Sequence, residues 1–484
     1  MDVKVISRNV GYALLVNALF MFFSILVSMA NGNDSALAAL IISFTITFAS
    51  GIFPFIFVRK ASVISIKDGY VIIILSWLLS FIFGMLPYAL WGGPFSIINA
   101  WFESVSGFTT TGATILSNVE SLPNSLLFWR SSTHFIGGLG VVVFLLLIIP
   151  NTSQMRLKLT NLELSSLSKQ EYKSRTNKTV FIFTYVYLGL LVAAFLCYML
   201  AGMSPFDAIN HSMSVVATGG FSTKNYSIGS YSSLPITIVS MVFMLLASVH
   251  FGLIYIAVVT KSFKPFKNEV FKFYLSGILA GTILVAVTLK AEGLVQGWGN
   301  SFLIGSFHIL SYASTTGFAI ADNSSWPMLP SYLLIFFGIR CGMAGSTTGG
   351  IKADRALLFY KEISYHIKNV LHPHSVHEVR LNGRVLTQKM LAPHILYMDL
   401  FFVVMLLSLI LCLCFGVDNK NALIGTISCL SNVGPSVAEL GTFGNYGLES
   451  VGAKLMYTLD MFLGRVEMYP IFAVFTMIFG RREK

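Results

Sequence analysis

Long apolar segments with few or no charges constrain this chain more than any other feature of its sequence. A helix that crosses the hydrocarbon core of a membrane needs about 20 apolar residues, because that core is about 30 Å thick. Segments of this length occur at residues 11–30, 36–58, 69–91, 180–201 and 394–416. Only 11% of the 484 residues are charged, which is too few for the polar surface of a soluble globule. The sequence therefore predicts an all-α polytopic membrane protein.

The Lys and Arg residues are distributed unequally between the two sides of the predicted spans. Cytoplasmic loops of membrane proteins carry an excess of these residues, so the richer side is predicted to be cytoplasmic, together with both termini. The opposite side is predicted to be net negative, which would concentrate cations there. The exceptions to the cytoplasmic placement are four lysines on the outer side, Lys224, Lys290, Lys420 and Lys454, and three arginines within spans, Arg130, Arg340 and Arg465.

A short glycine-containing strand recurs four times along the chain. The copies read TTTGAT, ATGGF, STTGF and SNVGP, and they align on Gly112, Gly220, Gly317 and Gly434. In three copies an Asn or Asp suited to capping a short helix stands 13 residues before the glycine, and in the third copy Asn300 stands one helical turn earlier. Each copy lies between two long apolar segments. The chain between those segments is too short to cross the membrane twice, so it is predicted to enter and return on one side.

Re-entrant segments of this kind are costly in lipid, because hydrocarbon offers their backbone groups no hydrogen-bond partner. They are tolerated where they are buried in protein or line a water-filled path. Four of them predict a ring around a central ion pore, in which backbone carbonyls replace the hydration shell of an ion. Glycine permits the backbone conformation that such a strand needs, and the carboxyl end of the short helix favours a cation. A helix-breaking kink would explain one copy but not four in matching register.

A second irregular segment follows the third glycine strand, where residues 342–350 read GMAGSTTGG. Each glycine in a helix costs about 1 kcal/mol relative to alanine, so the span is predicted to break in the middle of the membrane. A phosphate-binding loop is the alternative, but GSTTGGIK matches neither the Walker spacing nor a strand-to-helix context.

Arg465 lies within the last predicted span, where a charge is costly unless it faces a partner or a cavity. One interpretation is a local ion pair with Glu467 or Asp460. The other is that Arg465 reaches the loop at residues 345–350, binds its carbonyls and adds a positive barrier to the ion path. Arg130, His134, Arg340 and His250 are predicted to make hydrogen bonds between helices.

The four strands, the GSTTGGIK segment and the later GRVEMYP segment together resemble the TrkH/TrkG branch of the Trk/Ktr/HKT superfamily of potassium-uptake proteins. The resemblance extends over essentially the whole chain. It implies an N-terminal helix pair at residues 1–66, followed by four pseudo-symmetric repeats of helix, pore loop and helix at residues 67–175, 176–266, 267–390 and 391–484.

The same resemblance implies a function, a location and partners. The expected function is uptake of K⁺ across the inner (plasma) membrane of a bacterium, through a gated pore selective for K⁺ and Rb⁺. The expected partners are a second copy of the chain in a homodimer and a cytosolic nucleotide-binding subunit resembling TrkA. The chain itself is expected to bind no cofactor and no nucleic acid, with K⁺ as the transported ion.

By position, the resemblance implies both a K⁺-binding selectivity filter and a gate. Gly219 replaces Gly220 in the filter if the alignment of the second copy shifts by one residue. The ring is chemically uneven, so we expect weaker discrimination against Na⁺ than a uniform TVGYG ring gives. The filter residues are Thr110, Thr111, Gly112, Thr218, Gly219, Gly220, Thr315, Thr316, Gly317, Asn432, Val433 and Gly434. The gate residues are Gly345, Ser346, Thr347, Thr348, Gly349, Gly350 and Arg465.

Two other function classes and one metal site are alternatives to this reading. A secondary transporter that couples K⁺ to H⁺ or Na⁺ is disfavoured, because all repeats share one orientation and no unpaired acid is expected in a span. An enzyme is disfavoured because no nucleophile and base pattern or metal-ligand spacing is present. A metal site at His372, His374 and His377 is the less favoured reading of residues that precede an Asn-Gly hairpin signal at Asn382.

Overall fold

The structure is a computed structural model that describes residues 2–58, 65–148, 176–437, 440–466 and 468–479. Its first two helices, α1 (Val3–Ala30) and α2 (Leu37–Phe57), pack against each other. Both are long and apolar enough to cross a membrane. α1 also contacts the first and second spans of the unit that follows. The predicted N-terminal helix pair is therefore present, and it lies beside the first repeat.

Four units with the same order of elements follow this pair. Each has a first span, a short re-entrant helix, a glycine strand and a second span. The first spans are α3 (Ile66–Gly84) with its continuation α4 (Leu86–Trp91), α7 (Thr176–Leu200), α11 (Glu269–Ala291) and α15 (Gln388–Cys414). The re-entrant helices are α5 (Ile97–Phe108), α8 (Pro205–Val216), α12 (Trp298–Ala313) and α16 (Asn419–Ser431). The second spans are α6 (Asn124–Ile148), α9 (Leu234–Ser248) with α10 (Phe251–Thr260), α13 (Met328–Ile339) with α14 (Ala353–Leu371), and α17 (Val451–Arg465) with α18 (Tyr469–Phe479).

First and second spans differ in continuity. All four first spans are long and apolar enough to cross a membrane. Every second span is interrupted instead. α6 is interrupted at Gly140, whose φ is 71°, and α9 and α10 are separated by a bend of 104°. The third is interrupted by residues 340–352, and the fourth before Met468, whose φ is 55°. The sequence predicted the third break, which is confirmed, but it did not predict the other three.

The helix caps differ from the prediction. The N-cap residues of α5, α8 and α16 are Ser96, Ser204 and Asp418, and the predicted Asn and Asp caps stand in the first turn instead. The reason is that each N-cap oxygen accepts a hydrogen bond from a backbone N–H in that turn, for example from Asn99 to Ser96 at 3.3 Å. The third short helix, α12, has 16 residues against 12 for α5, so its predicted extra length is confirmed.

Outside the predicted pore, the described part of the chain has one pair of short strands, β1 (Arg380–Leu381) and β2 (Arg384–Val385). Asn382 and Gly383 connect them with φ values of 48° and 76°, as a two-residue hairpin turn requires. The hairpin prediction is therefore confirmed. α15 begins at Gln388, inside the range predicted for the third repeat, and the division into repeats at fixed residue numbers stays a prediction.

Candidate functional site

Each re-entrant helix ends in the same hydrogen-bonded turn, which leads directly into a glycine strand. In the first repeat Thr110 N–H donates to Gly107 C=O at 3.0 Å, and Thr111 N–H donates to Ser106 C=O at 2.9 Å. The other three repeats contain the same two bonds at equivalent positions. This pair of bonds is a Schellman motif, in which one residue takes the left-handed conformation and reverses the chain. Because the motif reverses the chain within two residues, the short helix and the strand of opposite direction fit into one short re-entrant segment.

The left-handed residue is equivalent in all four repeats. Its φ is 52° at Thr110, 55° at Thr218, 53° at Thr315 and 55° at Asn432. The aligned glycine two positions later also has a positive φ in every repeat, and in the second repeat that glycine is Gly220, with a φ of 86°. Gly219 is absent from the positive-φ residues, so the backbone pattern favours Gly220 as the equivalent of the other three glycines.

The four strands lie side by side in a closed ring. A Cβ added to Gly112 would overlap the carbonyl oxygen of Gly219 in the second strand. The same overlap occurs from Gly220 to the third strand, from Gly317 to the fourth, and from Gly434 back to Thr111 in the first. All four glycines also line one cavity of about 80 Å³ on the side of the ring where the strands end. Glycine is therefore required at these positions both for its φ and for the close approach of the next strand.

A serine also recurs at one position in all four repeats, and it was not predicted from the sequence. The carbonyl that closes the Schellman motif belongs to a serine in every repeat, six residues before the aligned glycine: Ser106, Ser214, Ser311 and Ser428. The Ser311 hydroxyl donates to Phe318 C=O at 2.6 Å, and the Ser428 hydroxyl donates to Gly434 C=O at 2.7 Å. These two bonds tie the end of a strand back to its own helix. The spacing of serine and glycine could have been found by aligning the repeats over a longer window.

A buried ion pair supports the first two strands. Arg130 on α6 donates to the Glu103 carboxylate on α5 at 2.8 Å, and both side chains are almost fully buried. Glu103 also accepts bonds from the Thr114 hydroxyl and the Ile115 N–H after the first strand. The Arg130 guanidinium stacks on the Phe221 ring of the second strand, 4.0 Å from its centroid. Arg130 was predicted to make hydrogen bonds between helices, and the structure shows that it also links two strands electrostatically.

The other polar groups predicted between helices vary in their contacts. Arg340 donates to Phe273 C=O on α11 at 2.9 Å, and His134 shares a hydrogen bond of 3.2 Å with Ser214 on α8. The His250 ring instead accepts a bond from Gly252 N–H, at the start of its own helix α10. Among the described residues, no group of three or more His, Cys, Asp or Glu side chains could hold a metal ion, and the three histidines near the hairpin are included in that statement.

The irregular segment of the third repeat lies against the inner ends of the strands. Gly349 N–H donates to the Thr315 hydroxyl at 3.1 Å, and the Thr347 hydroxyl donates to Val216 C=O at the end of α8 at 3.0 Å. A Cβ on Gly349 would also crowd Asn432 of the fourth strand. This segment, residues 340–352, is called the intramembrane loop below. It contacts strands or helix ends of three different repeats, beneath the ring.

Arg465 connects the intramembrane loop to the remaining repeat. Its guanidinium donates to Thr347 C=O at 2.6 Å and to Gly137 C=O on α6 at 2.7 Å. The contact between Arg465 and the loop, which the second interpretation predicts, is therefore present. Of the two partners in the other interpretation, Glu467 lies outside the described residues and Asp460 is described. The buried Asp460 carboxylate accepts a bond from Ser408 on α15.

Asp460 corrects one expectation from the sequence. It is fully buried on the second span α17, and its Oδ1 has no hydrogen-bond partner among the described residues. The argument against coupled transport that no unpaired acid lies in a span is therefore wrong. Its position five residues before Arg465 suggests an ion pair, whereas the carboxylate accepts its bond from Ser408 on α15.

Lys352 lies at the end of the intramembrane loop and is buried. Its ammonium group donates to the Thr348 carbonyl and, at 3.1 Å, to the Thr348 hydroxyl. Asp354 accepts a bond of 2.6 Å from Ala344 N–H, in the first half of the loop. Residues at the N-terminal end of α14 therefore hold both halves of the loop in place. Sequence reasoning did not single out these two residues, although both follow the glycine run directly.

Comparisons with known proteins agree with this architecture over its full length. The TrkH family description, "Cation transport protein", matches residues 37–288 and 282–481. The Trk system potassium uptake protein TrkG of Escherichia coli (strain K12) is 30% identical over 99% of each chain. The Trk system potassium uptake protein TrkH of Halomonas elongata is 32% identical over 100% of each chain.

A solved structure matches as well. The crystal structure of the potassium transporter TrkH from Vibrio parahaemolyticus superimposes with a TM-score of 0.89 at 28% identity, over 99% of this chain and 100% of that chain. The ring of four glycine strands, the interrupted second spans and these full-length similarities lead to one conclusion, which is that the chain belongs to the TrkH family of cation transport proteins.

Proposed function

We propose that this chain takes up K⁺ through a pore whose selectivity filter is the ring of four glycine strands. The observation that carries the proposal is the closed ring itself, in which each aligned glycine lies against a backbone carbonyl of the next strand. Carbonyl oxygens at such positions can replace the hydration shell of a K⁺ ion. The relatives named as potassium uptake proteins support the same substrate.

The gate in this proposal is the intramembrane loop together with Arg465. The support is their position, because the loop contacts Thr315 of a filter strand and Arg465 holds the loop to α6. A cytosolic nucleotide-binding subunit resembling TrkA is proposed to move this gate, and the chain is proposed to form a homodimer in the inner membrane. These last statements rest on the family resemblance.

A coupled transporter is the second candidate, and Asp460 is the observation that favours it. A buried carboxyl group with one oxygen unpaired is the kind of group that carries protons in membrane proteins. Its hydrogen bond with Ser408 directs it toward α15, away from the ring, so the uncoupled pore remains the primary proposal.

The two candidates are separated by flux measurements in proteoliposomes with a K⁺ gradient and a set membrane potential. An uncoupled pore should show a current that reverses at the K⁺ equilibrium potential at every pH. A coupled transporter should show a reversal potential that moves with the pH gradient, and Asp460→Asn should remove that movement. Empty liposomes and liposomes that contain denatured protein provide the baseline.

The filter residues have a direct test. Gly112→Ser and Gly434→Ser are each expected to relax or abolish selectivity for Rb⁺ over Na⁺, because the added Cβ would overlap the neighbouring strand. The measurement is uptake of Rb⁺ in competition with Na⁺. Gly189→Ser is the control, since Gly189 lies on the span α7 and a Cβ there meets no other atom within 4 Å. Unchanged selectivity in both filter variants would remove these glycines from the filter.

A further inference from the structure

The break between α9 and α10 lies where a membrane helix should be continuous. α9 ends at Ser248, α10 begins at Phe251, and the two axes differ by 104°. A helix break leaves carbonyl groups of the last turn and N–H groups of the first turn without helical partners. Hydrocarbon cannot supply those partners, so another part of the protein must do so.

The intramembrane loop supplies them. Met343 N–H donates to Ser248 C=O at 2.8 Å, and Phe251 N–H donates to Gly345 C=O at 3.0 Å. The Thr347 hydroxyl donates to Ala247 C=O at 3.2 Å, and its N–H approaches the same carbonyl at 3.4 Å. The loop and the break are both irregular backbone, and each satisfies the polar groups of the other.

The side chains at this contact are fitted closely. Gly345 has a φ of 78°, and a Cβ added to it would lie 2.7 Å from Cδ2 of the buried His250 ring. The ring is held in place by the bond of 2.9 Å from Gly252 N–H to its Nδ1. A Cβ on Gly342 would similarly lie 2.6 Å from Ser248 C=O. Glycines in the loop therefore permit an approach that any larger residue would prevent.

We infer that the break at residues 247–251 is the receptor for the closed loop, and that His250 is a positioning residue that sets how closely the loop docks. The inference rests on the proposed gate and adds to it an element of the second repeat. Withdrawal of the loop would expose the backbone groups of both segments at once. Opening is therefore expected to require that water enters the space below the ring, or that α10 moves with the loop.

A double-mutant cycle between Gly345 and His250 tests this inference. Gly345→Ala should raise Rb⁺ flux through proteoliposomes without any cytosolic subunit by about fivefold to tenfold, because both its φ and the His250 ring oppose a Cβ. His250→Ala removes the overlapping ring. The flux of the double variant should therefore be no higher than that of Gly345→Ala alone, well below the product of the two single effects.

The matched control is Gly350→Ala. Gly350 also has a positive φ, of 56°, and lies in the same loop, but a Cβ there meets Cys341 and Ile339 rather than the break. The fold change in flux of the double variant Gly350→Ala with His250→Ala should therefore equal the product of the two single changes. His250→Asn can still cap α10. Combined with Gly345→Ala, it should keep the flux of the double variant as low as His250→Ala does. This comparison separates loss of the ring from loss of the cap.

The possible outcomes distinguish the receptor from the pore. A conducting series in which His250→Ala multiplies equally with Gly345→Ala and Gly350→Ala overturns the receptor and leaves the proposed function intact. A series in which neither the parent nor any folded variant conducts overturns the proposed function, and the receptor with it. Thermal unfolding of each variant in detergent identifies any that fail to fold. In that case the single variant His250→Asn is compared with the parent. Its flux should be higher than that of the parent.

Discussion

The residue two positions before each filter glycine has a positive φ, yet none of the four is a glycine. Thr110, Thr218 and Thr315 are β-branched, and a left-handed conformation costs such residues of order 1 kcal/mol or more. The Schellman bonds at the helix ends maintain the conformation in spite of that cost. Asn432 replaces threonine in the fourth strand, and its amide donates to Thr111 of the first strand at 3.0 Å, which joins the two ends of the ring.

The side chains of these threonines have different partners, and this leads to a prediction. The Thr315 hydroxyl accepts the bond from Gly349 of the loop, whereas the Thr218 hydroxyl donates only to the neighbouring Ala217 carbonyl among the described contacts. Thr315→Val would leave the buried Gly349 N–H unpaired, at a cost of about 1–3 kcal/mol to the closed loop. We expect higher basal Rb⁺ flux from Thr315→Val than from Thr218→Val. Equal flux from the two isosteric variants would show that this bond does not hold the loop.

At the scale of the elements, the parts of the site that can be predicted are formed by interactions between residues close in sequence. The parts that cannot be predicted are formed by interactions between residues far apart in sequence. The re-entrant helices, the glycine strands and the third break are encoded locally by caps, glycines and apolar runs. The break at Gly140 also had a local signal, because Gly137 and Gly138 precede it, but the repeat pattern did not call for it. The break at His250 had one weak local signal, Gly252, and an isolated glycine is tolerated within a helix. The break is stabilised by hydrogen bonds to the loop, about a hundred residues away in sequence, which no local pattern can indicate.

The intramembrane loop carries a prediction at this scale. Deletion within residues 344–349, and separately Arg465→Ala, should raise Rb⁺ flux in the absence of the cytosolic subunit. The deletion shortens the barrier, and Arg465→Ala removes a charge and a tether. A hydrogen bond with one charged partner contributes about 1.5 to 3 kcal/mol, so the Arg465 change should shift the open fraction by about tenfold or more.

The comparison is made in proteoliposomes of matched protein content, with and without the cytosolic partner. Arg8→Met provides a control for the loss of a half-buried arginine, because Arg8 donates to Val58 C=O at the end of α2 rather than to the loop or α6. If both the deletion and Arg465→Ala conduct no faster than the parent, the loop is a structural break and regulation must reside in the helices.

At the scale of the whole molecule, the described residues contain six helices that are long and apolar enough to cross a membrane, which are the N-terminal pair and the four first spans. The second spans are interrupted. The uneven distribution of Lys and Arg predicts that both termini are cytoplasmic. Asn33 lies in the connection between α1 and α2, and Val376 lies just before the β-hairpin, and both residues are exposed. They fall on opposite sides of the predicted membrane.

Cysteine labelling tests that orientation. In a background in which the exposed Cys414 is replaced by serine, Asn33→Cys should react with a membrane-impermeant maleimide added to intact cells. Val376→Cys should react only after the cells are permeabilised. Labelling of the two positions in the reverse order would invert the topology and place the intramembrane loop on the outer side of the filter.

Within the described residues the intramembrane loop occurs in one repeat, and this has a consequence for how such a pore can be assembled. A tetramer of identical subunits would place four copies of any such insertion around its axis, and four could not occupy the one space beneath the ring. A single polypeptide that contains all four quarters can assign each a different task, so that one quarter supplies the plug, another the surface on which it rests, and another the arginine that holds it. For the same reason a single substitution changes one quarter of the ring, whereas in a homotetramer it would change all four.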